Sequence, residues 1–434
     1  MKFAVIGAGW AGCAAAVELA RRGQQVTLIE AARTPGGRAR RVEHQGYPLD
    51  NGQHILLGAY HDTLRMMHTV GITPSQSLLR LPLQMRYPAG TEGMQFVAGR
   101  LPAPWHLLYA VLTSKGLSIS DKLSLARFSS AARWMGWRLD VDCSVAELLE
   151  RFEQTERLIK LMWRPLCISA LNTPPERASA KVFLKTLGDS LGASKNASDM
   201  LIPTRDLSAL FPDAASSYIE KHGGKVHLGV HVRALTHSNH QWQITGDGFD
   251  ECFDKIILAV PAYAAQTLIA PLNTALSESL NFDYEPITTC YLKYNASVRL
   301  SAPFFALKEH TSSGQWGQFV FDRGQLHPAQ SGLLAVVISA STDAISLGQS
   351  ALVQAISSQL AEALQRNELA RPEWSWLVTE KRATFACTPN LRRPTNETPL
   401  KHLWLAGDYT AGDYPATIEG AVRSGLLAAS QAMQ

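Results

Sequence analysis

The sequence predicts a two-domain α/β protein, and three stretches carry that prediction. An apolar strand, a glycine-rich turn, a helix and a second strand follow one another at the N-terminus. A buried strand over 254–262 is stopped by Pro261. A strand over 402–408 runs into a closing helix over 418–433. Strand–helix alternation of this kind builds parallel sheets. The first domain is therefore expected to be discontinuous, over about 1–65, 200–265 and 385–434. The second fills 66–199 and 266–384 as a mixed sheet with helices.

The elements follow in order. Lys2–Ile6 alternates as a short buried strand, 11–22 is a small-residue helix, and Gly23 supplies its C-terminal cap. Gln25–Glu30 is the second strand, and 31–51 is rich in turn residues. Residues 101–156 are helical in pattern, with Trp, Tyr, Lys and Arg close together. The stretches 225–237 and Gln241–Gly246 read as paired strands. Further strands are expected over 288–294 and 332–339, and a helix near 351–365.

Composition narrows the function. A chain of 434 residues with 46% hydrophobic and 18% charged residues has material for more than one core. A formal charge of +4 makes no case for nucleic acid, while a basic surface suits an anionic bilayer. The six cysteines are widely spaced without a CxxC pair, so neither a disulfide framework nor a metal site is expected, and a cytoplasmic setting is. The apolar N-terminus superficially resembles a targeting peptide, but its glycines break a long apolar helix and its charged region is one lysine. No run reaches the length of a membrane span.

The turn Gly7-Ala8-Gly9-Trp10-Ala11-Gly12 is a G-x-G-x-x-G between strand and helix. Gly7 makes the tight turn, Gly9 lets backbone approach a pyrophosphate, and Gly12 allows close helix–strand packing. The helix start at Ala11 offers free N–H groups to the phosphates. Glu30, ending the second strand, suits ribose hydroxyls and repels a 2′-phosphate. This pattern fits either FAD or NAD. Gly36-Gly37-Arg38 follows, where glycines permit close backbone approach and Arg38 can pair with phosphate.

The Gly36-Gly37-Arg38 doublet resembles the signature of the flavin amine oxidase and carotenoid desaturase superfamily, and Leu405-Ala406-Gly407-Asp408 resembles its second flavin motif. The resemblance implies FAD on a glutathione-reductase-like Rossmann fold. It implies that Gly407 approaches the cofactor, that Asp408 accepts hydrogen bonds from its ribityl or phosphate region, and that Val232 contacts adenine through its backbone. Thr417 and Ile418 open a helix whose N-terminus would face the flavin pyrimidine edge. Among subfamilies the chain resembles the hydroxysqualene dehydroxylases, in DNGQHILLGAY from Asp50, WRPLCISALNTPPERASA from Trp163, SDMLIPTRDLSALFPDAA from Ser198 and PATIEGAVRSG from Pro415. Gly52 and Gln53 are by that match near the isoalloxazine. The linker 410–414 departs from the pattern in carrying Asp413 and Tyr414.

That resemblance implies reduction of hydroxysqualene, an allylic C30 alcohol, to squalene in squalene and hopanoid biosynthesis. Such a reaction needs a hydride from reduced flavin, one acid, a dry apolar tunnel, and a reductant such as NAD(P)H or a partner reductase. No second dinucleotide fingerprint is present. The candidate acids are His54, Asp50 and Asp413. Each has a plain alternative: a core histidine, a loop cap before Gly52, and a solvated surface carboxylate. A bound water is a further possibility. A C30 hydrocarbon must be loaded from lipid, so the aromatic and basic helices from Trp105 to Trp137 are expected at a membrane face, peripheral on the inner side of the cell membrane. Three alternatives stand beside this reading. One is an isoprenoid desaturase running hydride the other way. The second is an amine oxidase, disfavoured because Thr417 stands where an aromatic cage residue is usual. The third is a non-catalytic prenyl-lipid escort, disfavoured by intact Gly37, Arg38, Gly407 and Asp408.

Overall fold

The computed structural model describes residues 1–434. Distant parts of the chain meet in one parallel sheet, in the order Lys225–Leu228, Gln25–Glu30, Lys2–Ile6, Lys255–Leu258, Leu403–Leu405. A parallel sheet is covered on both faces, which is why Lys2–Ile6 and Lys255–Leu258 are near-continuous apolar runs with their interior fully buried. The helix Trp10–Arg21 crosses between the first two strands and is buried from Trp10 to Ala20. Its alanines let the closing helix Ile418–Ala432 lie close against it. A side chain at Gly425 of that closing helix would come within 2.1 Å of the Ala11 carbonyl oxygen.

The run 225–237 is two strands, not one. Gly229, at φ +75°, turns the chain. Lys225–Leu228 joins the parallel sheet, while Val232–Ser238 pairs antiparallel with Gln241–Gly246, and Phe249–Phe253 completes that three-stranded sheet. The apolar alternation Val226, Leu228, Val230, Val232 continues across the glycine and hides the break. The turn-rich stretch after Glu30 contains a hairpin, Arg41–His44 with Tyr47–Asp50.

A second large sheet is antiparallel, in the order Phe304–Ala306, Phe319–Asp322, Leu333–Ser339, Tyr284–Lys293, Trp374–Phe385. The helix Gln349–Leu364 packs on it through Leu352, Ile356 and Leu360, spaced four apart on one face. The strand Trp374–Phe385 escapes a reading by hydrophobic pattern because it lies at the sheet edge. Its Thr, Glu, Lys and Arg residues are tolerated there.

The aromatic middle segment forms helices Trp105–Thr113, Ile119–Trp134 and Val145–Arg151. Ser118 with Asp121, and Ser144 with Glu147, make capping boxes that start the last two. No helix is long and apolar enough to cross a membrane. Several large apolar side chains on the first two of these helices nevertheless face outward, Trp134 at 90% exposure and Leu112 at 65%.

Candidate active site

One cavity of about 1490 Å³ runs between the two sheets. Ligand sites of drug-sized molecules span roughly 300–1,000 Å³, so this volume holds a dinucleotide and a second molecule. Its character changes along its length.

At one end the wall is backbone. Gly7 has φ +102°, and a side chain there would meet the Ala259 carbonyl oxygen at 2.6 Å. Gly9 caps the Trp10–Arg21 helix without any side-chain hydrogen bond, so the first N–H groups of the helix, Ala11 among them, lack intrahelical acceptors. Gly37 (φ +62°) faces Gly9, and a side chain on Gly37 would sit 3.2 Å from the Gly9 Cα. The two glycines form a cradle that a side chain on either would fill. Glu30 reaches into the same end. Its carboxylate accepts the Ala8 N–H at 2.6 Å and the Ala32 N–H at 2.8 Å, which fixes its orientation beside the turn. Val232 starts its strand here with little exposure and lines the cavity.

The central part joins the motifs. Arg38 donates to Asp408 Oδ1 at 2.6 Å and to the Ala383 carbonyl at 2.8 Å. Its guanidinium is thus committed to the second motif, where the sequence suggested a phosphate partner. Gly407 adopts φ +157° with the Tyr409 ring packed under it. Thr417 caps the closing helix, its hydroxyl accepting the Gly420 N–H at 3.0 Å, and Ile418 follows it at the wall. Gly52, Gln53 and His54 line the same region. The Gln53 side chain is tied back, donating to the Tyr291 hydroxyl at 2.8 Å and accepting from Arg323 at 2.8 Å.

These features fit FAD: a side-chain-free cradle at an uncapped helix start, a fixed carboxylate, and a second helix N-terminus further along one continuous cavity. The residues that line it are Gly7, Gly9, Ala11, Glu30, Gly37, Arg38, Gly52, Gln53, Val232, Gly407, Asp408, Thr417 and Ile418. Gly12 does not line it. A side chain on Gly12 would stand 1.8 Å from the Gly7 carbonyl oxygen, so its requirement is helix–strand packing, not contact with a ligand.

The candidate acids separate. Asp50 is buried outside the cavity, with Oδ1 accepting the Leu207 N–H at 2.8 Å and Oδ2 3.6 Å from Arg323. Burial, opposed by Arg323, pushes its carboxyl up to about 6. It anchors the loop and does not face the reaction space. Asp413 is also outside. It is 73% exposed and 3.9 Å from Lys185, on a surface loop held by hydrogen bonds from Arg393 to Gly412 and Tyr414. That clamp, with the Tyr414 hydroxyl donating to Asp189 at 2.8 Å, accounts for the unusual linker. His54 does line the cavity, but burial and the nearby Arg38 lower its imidazole to about 4. It is neutral at ordinary pH and a poor proton source.

Sequence reasoning missed Glu380, Thr384, Ser339 and Asn172, which all line the cavity. They come from the antiparallel sheet and the end of the helix Arg164–Leu171, and no local spacing announces them. Asn172 sits within the WRPLCISALN stretch, which was the one available signal.

The far end is apolar and aromatic. Trp105, Leu108, Val111, Phe128, Trp134 and Trp137 line it. Trp105 at 57% exposure and Trp134 at 90% belong also to the surface, so the cavity reaches solvent between the helices Trp105–Thr113 and Ile119–Trp134.

Comparison with known proteins agrees with this geometry. The flavin containing amine oxidoreductase family matches residues 10–433. A hydroxysqualene dehydroxylase of Rhodopseudomonas palustris is 30% identical over 98% of this chain and 96% of its own length. A zeta-carotene desaturase of Arabidopsis thaliana is 24% identical over 99% of this chain and 85% of its own. An oxidoreductase structure from Methanosarcina mazei superposes with TM-score 0.74 at 16% identity, covering 99% of this chain and all of that one. The chain belongs to the flavin-containing amine oxidoreductase family, in the group of the hydroxysqualene dehydroxylases, and is an FAD-dependent oxidoreductase.

Proposed function

We propose that the protein reduces hydroxysqualene to squalene. The observation that carries this reading is the single cavity whose one end is a glycine cradle and whose other end is an apolar passage reaching the surface. Reduced FAD, when bound, supplies the hydride that the reduction requires. NAD(P)H or a partner reductase supplies the reducing equivalents.

The chain's own residues have separable tasks. Gly7, Gly9 and Gly37 keep side chains out of the pyrophosphate space, and the Ala11 helix start offers N–H groups to its charge. Glu30 receives the ribose, the Arg38–Asp408 pair orients the ribityl region, and Thr417 and Ile418 present the second helix N-terminus to the ring. The backbone of Gly52 and Gln53 borders the ring, and Val232 borders adenine. Leu108, Val111, Phe128 and Trp137 exclude water from a hydrocarbon chain. On this reading 1–65, 200–265 and 385–434 form the FAD domain, and 66–199 and 266–384 the substrate domain.

Loading is from lipid. Exposed Trp105, Tyr109, Leu112, Ile119, Leu123 and Trp134 stand beside exposed Arg100, Lys115, Arg133 and Arg138, an apolar face with a basic border that suits the headgroup boundary of an anionic bilayer. The enzyme is on this basis peripheral, at the cytoplasmic face of the cell membrane.

A second reading is oxidative desaturation of an isoprenoid, favoured by the similarity to zeta-carotene desaturases. The deciding experiment is anaerobic incubation of purified protein, with its flavin reduced, with hydroxysqualene, followed by product analysis. Squalene is expected. Inertness toward the alcohol together with turnover of a polyene by the oxidised enzyme would put the desaturase first.

A further inference from the structure

Removing a hydroxyl needs a proton donor and something that recognises oxygen in an otherwise greasy space. Three acidic side chains line the cavity: Glu30, Glu380 and Asp408. Glu30 is held at the glycine end by the Ala8 and Ala32 N–H groups. Asp408 is ion-paired with Arg38. Glu380 makes no ion pair. Its Oε1 accepts the Arg382 N–H at 3.2 Å, and its Oε2 lies 3.5 Å from Asn51 Nδ2, in the loop that carries Gly52 and His54.

The sheet brings hydroxyls to the same place. Ile287 pairs with Ser339 on one side and with Glu380 on the other. Directly paired residues project to one face of a sheet, so all three face the cavity that they line. A bulge in the edge strand sets the rest. Between the pairs Ile287–Glu380 and Glu285–Thr384 the register shifts, with 381–383 opposite Pro286 alone. The shift places the Ala383 carbonyl on Arg38 and returns Thr384 to the cavity wall. The Thr384 hydroxyl accepts from Asn172 Nδ2 at 2.9 Å and donates to no protein acceptor. The Ser339 hydroxyl has no protein partner. Asn172 is itself fixed, with Oδ1 accepting the Ala340 N–H at 2.7 Å and Nδ2 donating to the Glu285 carbonyl at 3.1 Å. Ser339 and Glu380 thus flank Ile287 from opposite strands and Thr384 follows past the bulge, so two hydroxyls with protons to give and one carboxyl without an ion pair line the same wall of the cavity, on the sheet that also holds Arg38.

We propose that Ser339 and Thr384 bind the hydroxyl of the substrate alcohol and that Glu380 is the proton donor to the leaving oxygen. The inference rests on the reading of the protein as a reductase of an allylic alcohol. The oxygen takes the electron pair of the breaking C–O bond and the Glu380 proton and departs as water. The carbon is completed by the hydride that FAD supplies, and Glu380 regains a proton from water between turnovers. Ser339 and Thr384 distinguish the alcohol from the hydrocarbon product of the same skeleton.

The test uses flavin-loaded wild type, E380Q and the S339A/T384V double variant, with D413N as a surface control. Binding of hydroxysqualene and of squalene is measured on oxidised enzyme, where no reduction occurs. The rate at which the alcohol reoxidises the reduced flavin is then measured anaerobically. E380Q is expected to keep its preference for the alcohol and to lose about 10²–10⁴-fold in rate. S339A/T384V is expected to bind the alcohol roughly ten-fold more weakly with squalene binding unchanged. D413N should match wild type in both. An E380Q rate equal to wild type overturns the donor, and an unchanged alcohol preference in the double variant overturns the hydroxyl site. Glu380→Ala is carried in parallel in case E380Q is not recovered, and a wild-type rate there equally overturns the donor, while Glu380→Asp, which keeps the acid, is expected to retain more rate than either. A wild-type enzyme inert toward the alcohol defeats the reading of the reaction, while the binding measurement still decides the hydroxyl site.

Discussion

The two ends of the cavity are built from different parts of the amino acid. At the glycine end the wall is peptide: N–H groups, a turn with φ +102° at Gly7, and Gly37 at φ +62° facing Gly9 across a space that a side chain would occupy. At the aromatic end the wall is side chain, carried on two helices from which Trp105, Leu108, Leu112, Leu123 and Trp134 stand out into solvent. A backbone site is specified by what is missing from it, and a methyl group is enough to ruin it. A side-chain site is specified by its polarity and area, and it tolerates replacement by any residue of like character.

The largest effect is expected from a methyl group in the turn behind the glycine end. Gly12→Ala places a carbon 1.8 Å from the Gly7 carbonyl oxygen, where the neighbour is backbone and cannot step aside. Overpacking of this kind costs about 3 kcal/mol or more. The expected outcome is colourless protein with a lowered thermal midpoint, read from flavin absorbance and a melting curve. A yellow, normally stable G12A protein would mean that the turn is not under the constraint described.

At the other end the smaller effect falls on a different measurement. Leu112→Glu with Trp134→Glu changes residues that are 65% and 90% exposed. Stability should move by no more than about 0.5 kcal/mol, and flavin content should not change. Binding to anionic phospholipid vesicles should fall about ten-fold or more, because each change removes apolar area and adds a repelled charge. If vesicle binding is untouched, the exposed face has some other use and lipid loading through the aromatic mouth is wrong.

The same contrast decides what a sequence can disclose. The glycine turn, Glu30, the Gly37–Arg38 pair and the Gly407–Asp408 pair are short-range patterns, each fixed by a local backbone requirement, and all are readable in one dimension. The central strands Lys2–Ile6 and Lys255–Leu258 are likewise announced by continuous apolar runs, while the edge strand Lys225–Leu228 is not. Glu380, Thr384 and Ser339 have no such signature. They become neighbours through strand pairing and a bulge opposite Pro286, on an edge strand whose charged residues disguise it. Asp50 misled because it belongs to the right loop but points the wrong way, toward the Leu207 N–H and Arg323. Asp413 misled because a carboxylate near a motif in sequence stood on the outside of its loop. Loop orientation is set by the tertiary partners of the loop, here Arg393, 21 residues before Tyr414, and Asp189, 225 residues before it.

The smallest effect concerns the loop between the two ends, where Asp50 and His54 oppose one another in pH. His54 is lowered to about 4 from its usual value near 6.5, by burial and Arg38. Below pH 6.5 the unfolded chain takes up a proton there that the folded chain refuses, so stability is lost as pH falls toward 4. Asp50 is raised to about 6 by burial, against a usual value near 3.9. Below pH 6 the folded chain takes up a proton that the unfolded chain does not yet hold, so stability is gained over nearly the same window. In the wild type the two slopes offset each other. His54→Gln removes the loss and leaves the gain, so its thermal midpoint should fall less than wild type, or rise, between pH 6.5 and 4.5. Asp50→Asn, which can still accept the Leu207 N–H, removes the gain and should make the acid loss steeper. Melting curves of both variants across that range check the signs. Parallel wild-type-like slopes in the two would mean that neither group senses the burial that their positions, one behind the cavity wall and one in it, impose.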